Sequence, residues 1–228
     1  MNYLMVSFEG IDGAGKTSLV AETAKRFRLR GDLGIDGQPV NPHTSFAPTW
    51  RNDRERADFI RQMRPGDQVN YFYQDFLAIH CEKLSSLPRA SVVLQDRWYD
   101  SMMAYQGPED ETLLSFAKEY SKGLPCPQLT IYLQCSVETA AQRLADRGET
   151  VDQDHLRSVA SRYDRLYAAE IVPHNWRWQP AARLETTYQM RQEHCRRIIV
   201  LPEGLTLATK AEIAAQATMH ALWTEFGS

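Results

Sequence analysis

Long apolar runs are missing from the 228 residues, so no membrane-spanning helix is expected. An excess of one charge is missing too. The 26 basic and 29 acidic side chains leave a net charge of −3, too balanced for nucleic acid or an anionic membrane to be the main partner. Cys81, Cys126, Cys135 and Cys195 show no C-x-x-C spacing, which argues against a zinc knuckle or a disulfide framework. They read as buried or idle thiols in a reducing cytoplasm. No H-E-x-x-H pattern occurs among the histidines, so metal ligation by them is not expected. The base-reading N-K-x-D of GTPases is absent as well. Because the first motif begins at residue 10, no secretory leader is expected, and the expected location is cytoplasmic. No repeat, low-complexity tract or linker divides the chain, so residues 1–228 are expected to form one domain.

What is present begins with Gly10-Ile11-Asp12-Gly13-Ala14-Gly15-Lys16-Thr17, which fits the phosphate-binding loop G-x-x-x-x-G-K-[ST]. Its glycines let the backbone curl so that successive N–H groups point at phosphate oxygens. The helix that follows adds its positive dipole end. Lys16 is placed to reach the β- and γ-phosphates and the Thr17 hydroxyl to ligate Mg²⁺. A glycine-rich turn that binds nothing is the alternative, but it leaves Lys16 without a purpose. A nucleoside triphosphate, ATP with Mg²⁺, is the expected ligand.

Short apolar runs alternate with helical patterns along the chain. Tyr3 to Phe8 reads as a buried strand and Lys16 to Arg30 as a helix closed by Gly31. At most a short strand lies near Gln38–Val40, followed by a loop from Pro42 to Pro48 and a charged helix from Trp50 to Met63. Asp67 is expected to N-cap a helix reaching about Leu87, with Val69, Phe72, Phe76 and Ile79 on its apolar face. Tyr71, Gln74 and Asp75 fall together on a neighbouring flank. Ser91 to Leu94 and Leu129 to Leu133 read as buried strands, and Asp96-Arg97 sits at the carboxyl end of the former, where doubly wound sheets bind ligands. Ser136 should cap a helix through Ala145, followed by a helix from about Asp154 to Ile171. Leu113 to Tyr120 also reads as helical. Ile198 to Leu201 is the last strand and Thr209 to Phe226 the last helix, while Pro173 to Cys195 gives no clear pattern. The expected architecture is α/β, a three-layer P-loop kinase fold with a parallel sheet and helices on both faces.

At the second motif the chain resembles a known family. Asp96-Arg97-Trp98-Tyr99-Asp100-Ser101-Met102-Met103-Ala104-Tyr105-Gln106-Gly107 is similar to the D-R-x-x-x-S-x-x-A-Y-Q-G signature of thymidylate kinases. Phe8-Glu9-Gly10 through Thr17 resembles the same family's F/I-E-G-x-D/E-G-A-G-K-[ST], and Thr130 to Leu133, Arg143 and Arg147-Gly148-Glu149 look like its last core strand and lid. The resemblance covers roughly residues 3–170 and 196–226. It implies a nucleoside monophosphate kinase that passes the ATP γ-phosphate to a deoxynucleotide, dTMP or another pyrimidine. The implied ATP-binding set is Gly10, Asp12, Gly13, Ala14, Gly15, Lys16, Thr17 and Ser18, with Thr17 and Asp96 holding Mg²⁺. Asp96 alternatively fixes Arg97. Lys16, Arg97, Arg147 and Arg143 are the implied catalytic cations, because two polyanions must be neutralised and held in line. Asp12 would meet the acceptor sugar, and Tyr105 would pack beneath it, with Ser101 and Met102 nearby. The lid is expected at about 143–155 and the acceptor-binding region at about 42–87. A homodimer with no nucleic-acid or membrane partner is the inherited expectation.

The acceptor half departs from that pattern. Where relatives carry R-E-P, this chain has Ser45-Phe46-Ala47-Pro48, and Arg51 or Arg54 would have to grip the acceptor phosphate instead. The base-stacking aromatic and base-reading arginine correspond to Tyr71 and Asp75, with Gln74 beside them. A carboxylate only accepts hydrogen bonds, so it suits an exocyclic amine better than a thymine carbonyl. Asp75 otherwise reads as a solvated helix carboxylate. Two further functions stay open: a deoxynucleoside kinase, for which Glu9 is the acid nearest the loop, and a nucleotide-binding pseudoenzyme.

Overall fold

The computed structural model of the chain describes every residue except 1–2, 30–37, 41–58, 86, 88–90, 111, 113–114, 117–118, 120–122, 169–171, 178–184, 192–193 and 227–228. Strand β1 (Tyr3–Glu9) is buried along its whole length. Successive side chains of a strand point to opposite faces, so both faces of β1 must be covered. The same holds for β4 (Leu129–Leu133), whose residues are all buried. Unbroken apolar strands of this kind belong to a parallel sheet between helical layers. The strand order is β2 (Gln38–Val40), β3 (Ser91–Asp96), β1, β4, β7 (His194–Leu201), β6 (Glu185–Arg191) and β5 (Val172–Arg177).

From β2 to β7 all neighbours run parallel. The last two strands, β6 and β5, are antiparallel additions. They arise from the stretch around 173–195 that showed no pattern in the sequence, so the expected wholly parallel sheet is corrected at this edge. An antiparallel strand needs no crossover helix, which is how so short a stretch supplies two strands. β7 also starts earlier than expected, because His194 to Arg196 pair with β6 alone.

The helices are α1 (Lys16–Leu29), α2 (Pro65–Ile79), α3 (Tyr99–Gln106), α4 (Val137–Asp146), α5 (Gln153–Ala168) and α6 (Leu207–Phe226). α1 packs along α6, and Arg26 pairs with Glu212 between them at 2.5 Å. α2 packs on α3, α3 on α5 and α5 on α4. Asp67 does not cap α2. The helix begins earlier, at Pro65 with Arg64 as its cap residue, and Asp67 lies in the first turn paired with Arg64 at 2.8 Å. Proline at the first helical position, with its preset φ, explains the earlier start. Beyond Ile79 the chain tightens into a π turn, His80–Leu84, before the point where the longer helix was expected to end. The loop from Pro42 to Pro48 and most of the helix expected from Trp50 to Met63 lie outside the described residues, as does most of Leu113 to Tyr120.

Ser136 caps α4 as expected, its hydroxyl accepting from the Thr139 amide at 3.2 Å. Its hydroxyl also donates to Glu203, at the start of the turn into α6. Ser136→Ala is expected to lower the unfolding free energy by about 1 kcal/mol. Urea unfolding would show this as a lower midpoint with an unchanged slope.

Candidate active site

The sheet register builds the site. Phe8 lies opposite Asp96 across β1 and β3, so Gly10 and Arg97 leave the sheet side by side. The turn between β1 and α1 is wedged against β4 and α4. A Cβ at Gly10 (φ +142) would stand 2.7 Å from the Leu133 carbonyl, and one at Gly13 (φ +81) would stand 2.5 Å from the Ala140 carbonyl. Neither position accepts a side chain without displacing backbone. The first turn of α1 contains no acidic residue, so its positive end is not neutralised from within. A helix terminus of this kind suits an anion.

Lys16 is buried, and its ammonium donates to the Gly10 and Ile11 carbonyls at 2.9 and 2.7 Å. Burial and the neighbouring Arg97 push its pKa down to about 7, against the pull of Asp12, Asp96 and Glu9. Thr17 donates its hydroxyl to Asp96 at 2.6 Å. The two expected metal ligands are therefore adjacent. Among the described residues no cluster of three or more His, Cys, Asp or Glu occurs. A divalent ion held by Thr17 and Asp96 would complete its shell with phosphate oxygens and water, as Mg²⁺ commonly does.

Arg97 stands at the centre. Its backbone is left-handed, with φ 68, a conformation of order 1–3 kcal/mol for a residue with a side chain. One guanidinium nitrogen donates to the Gly10 carbonyl at 3.3 Å and to the Ser101 hydroxyl at 3.2 Å. The other donates to the Asp12 carboxylate and, at 3.3 Å, to the Tyr105 hydroxyl. The guanidinium carbon lies 4.8 Å from the centre of the Tyr105 ring, a cation–π contact. The Asp12 amide in turn donates to the Tyr105 hydroxyl at 2.8 Å. Burial would raise the Asp12 pKa, but Arg97 and Lys16 outweigh it and hold the carboxyl below its ordinary value. Asp12, Lys16, Thr17, Asp96, Arg97, Ser101 and Tyr105 are thus brought together.

The lid arginines separate. Arg143 donates to the Gly13 carbonyl at 3.2 Å, so it lies on the phosphate loop. Arg147 directly follows the last residue of α4 and pairs with Glu149 at 2.8 Å. On α2, Tyr71 is half-buried with its ring edge-on to Phe72, Gln74 is exposed and Asp75 is buried at 1% exposure. The solvated-carboxylate reading of Asp75 is therefore wrong. Met102 is buried in the core. Arg51 and Arg54, with the Ser45 to Pro48 loop, lie outside the described residues.

Tyr163 and Gln95 were missed, and Glu9 was singled out only as the acid nearest the loop. Glu9 ends an otherwise apolar strand at 0% exposure. One of its oxygens accepts from the Trp98 amide at 2.8 Å and the other from the Ser101 hydroxyl at 2.5 Å. The Tyr163 hydroxyl lies 2.7 Å from that of Ser101 and donates to Glu9 at 3.1 Å. Gln95, also buried, donates to the Arg97 carbonyl at 3.0 Å. A carboxylate and an amide inside unbroken apolar strands were the available signal.

A family model described as thymidylate kinase matches residues 8–175. A thymidylate kinase of Xanthomonas campestris is 25% identical over 224 residues, covering 96% of this chain and 93% of that protein. One from Verminephrobacter eiseniae is 32% identical over 192 residues, covering 73% and 80%. A probable thymidylate kinase of Methanothermobacter thermautotrophicus is 31% identical over 173 residues, covering 72% and 80%.

Complete burial, with the nearby Asp100 carboxylate adding repulsion, pushes the Glu9 pKa up from 4.5 to about 8. Ser101, the Trp98 amide and Arg97 oppose this only in part. A carboxyl whose folded pKa is raised contributes stability below its unfolded pKa and loses it as pH climbs through the folded value. Thermal midpoints of the wild type should therefore fall relative to Glu9→Gln between about pH 5 and pH 9. A difference that stays constant with pH would show Glu9 ionised throughout.

Proposed function

We propose that this chain, which belongs to the thymidylate kinase family, transfers the γ-phosphate of MgATP to the 5′-phosphate of a deoxynucleoside monophosphate, dTMP or a related or modified pyrimidine. The observation that carries the reading is the contact of Arg97 with the phosphate loop, through the Gly10 carbonyl and Asp12. A cation shared between the donor loop and the D-R motif suits a reaction that joins two polyanions.

The chain's residues divide the work as follows. Amides of Gly10, Asp12, Gly13, Ala14, Gly15, Lys16, Thr17 and Ser18 cradle the donor phosphates, and Lys16 neutralises charge on the group in transfer. Mg²⁺, held through Thr17 and Asp96, supplies positive charge to the donor phosphates. The planar fork of Arg97 bridges donor and acceptor phosphate, a geometry lysine does not reproduce. Arg143 serves the donor side, as its contact with the Gly13 carbonyl supports. Arg147 would have to leave Glu149 to join it. Asp12 and Tyr105 meet the sugar, with Ser101 and Met102 behind them, and Arg51 is kept as the acceptor-phosphate candidate. Tyr71 and Gln74 are the base-side candidates on α2, and Asp75, at 1% exposure, would have to turn out of the interior to reach the base, where an acceptor-only carboxylate favours an amino-bearing pyrimidine. A homodimer remains the family expectation.

A nucleoside acceptor would need a carboxylate base within reach of its hydroxyl. Glu9 is fully buried and bonded to Trp98 and Ser101, which supports a monophosphate acceptor instead. The test is a transfer panel with labelled ATP and dTMP, dUMP, dCMP, 5-substituted analogues and the parent nucleosides. Monophosphates are expected to be phosphorylated and nucleosides not. Asp75→Asn should raise kcat/KM for dTMP relative to dCMP by roughly tenfold. An unchanged ratio would remove Asp75 from base recognition. Lys16→Ala is expected to lower kcat by roughly a hundredfold or more while the fold stays intact, read by turnover and circular dichroism together. Near-normal turnover in that variant would place the chemistry elsewhere.

A further inference from the structure

Arg97 is a side-chain-bearing residue in the left-handed region, and every peptide group around its Cα is clamped. Its own amide donates to the Phe8 carbonyl at 3.1 Å. Its carbonyl accepts from Gln95 at 3.0 Å, and the next amide, that of Trp98, donates to Glu9 at 2.8 Å. Two of these clamps are side chains with 0% exposure, and neither reaches solvent. Glu9 does more than Gln95. Its second oxygen accepts from Ser101 at 2.5 Å, and the same Ser101 oxygen accepts from the Arg97 guanidinium at 3.2 Å. One carboxyl group therefore holds both the backbone after Arg97 and the hydroxyl against its guanidinium. Tyr163 from α5 closes the arrangement, at 2.7 Å from Ser101 and 3.1 Å from Glu9. The ring of Tyr163 stacks on that of Tyr167 at 6.0 Å, which fixes the hydroxyl from behind.

We propose that Glu9 is a positioning residue for Arg97: its carboxyl group aims the guanidinium at the phosphate loop by gripping the Trp98 amide and the Ser101 hydroxyl together. Glu9 touches no part of the loop's open face, so it acts through Arg97. The inference rests on the reading above, in which Arg97 serves phosphoryl transfer.

A double-mutant cycle separates this role from general support of the fold. Glu9→Met keeps the length and removes both acceptors. Glu9→Gln keeps an acceptor for the Trp98 amide and a polar partner for Ser101. Each is measured with Arg97 and with Arg97→Lys, as kcat and KM per folded molecule and as the Kd for dTMP by calorimetry. Glu9→Met should lower kcat at least roughly tenfold with Arg97 present, because small misplacements of a catalytic group are costly. In the Arg97→Lys background the same change should lower kcat by less than about threefold, since the coupled partner is already lost. Glu9→Gln should recover most of the loss.

Equal losses in both backgrounds, or no recovery by glutamine, would overturn the proposal. So would a lowered melting temperature with unchanged kcat per folded molecule. If Glu9→Met does not fold, Gln95→Leu, which removes only the clamp on the Arg97 carbonyl, is read in the same cycle with the same two outcomes. An active wild type with an additive cycle ends the Glu9 proposal alone. A wild type that neither phosphorylates nor binds any nucleoside monophosphate ends the kinase reading and this one with it.

Discussion

The site hangs on one register, the pairing of Phe8 with Asp96 across β1 and β3. Strand side chains alternate with a period of two, so a slip of one residue would turn Glu9 and Gln95 to the opposite faces. Apolar neighbours alone discriminate poorly between registers when both faces of a strand are buried. The carboxyl-terminal halves of these strands carry polar groups that do discriminate. Ser7 bonds Thr130 at 3.0 Å inside the sheet, Gln95 bonds the Arg97 carbonyl and Glu9 bonds the Trp98 amide. Each would be left unsatisfied in the core by a slip, at roughly 1–3 kcal/mol apiece.

Trp98 carries this order outward to α2. Its amide is fixed by Glu9, and its indole donates to the Pro125 carbonyl at 3.0 Å. Its ring lies 4.5 Å from that of Phe76 on α2. The helix bearing Tyr71, Gln74 and Asp75 thus shares a fixed point with the backbone of Arg97. Interiors are packed at crystal-like density, and here the Phe76–Trp98 contact joins the packing of α2 to the backbone that follows Arg97.

What the sequence made legible were local patterns. The phosphate loop, the D-R motif, five of the strands and the Ser136 cap each lie in a few consecutive residues with a distinct chemical signature. The buried cluster was illegible because Glu9, Ser101 and Tyr163 come from three distant segments that only the fold brings together. Asp75 was left between two readings for a related reason. An isolated carboxylate on a helix is usually solvated, and only packing of α2 on α3 reveals it as buried. The last two strands escaped notice because their polar residues interrupt any run of apolar ones, and pairing of β6 with β7 and of β5 with β6 defines them.

β6 lies three strand spacings from β1, about 14 Å across the sheet. The family match stops at residue 175, within β5. An antiparallel hairpin of this kind joins or leaves a sheet at its rim without re-ordering the parallel strands inside. The rim thus has latitude in strand order that the parallel interior lacks. The turn between β1 and α1 has none, hemmed in as it is by the Leu133 and Ala140 carbonyls.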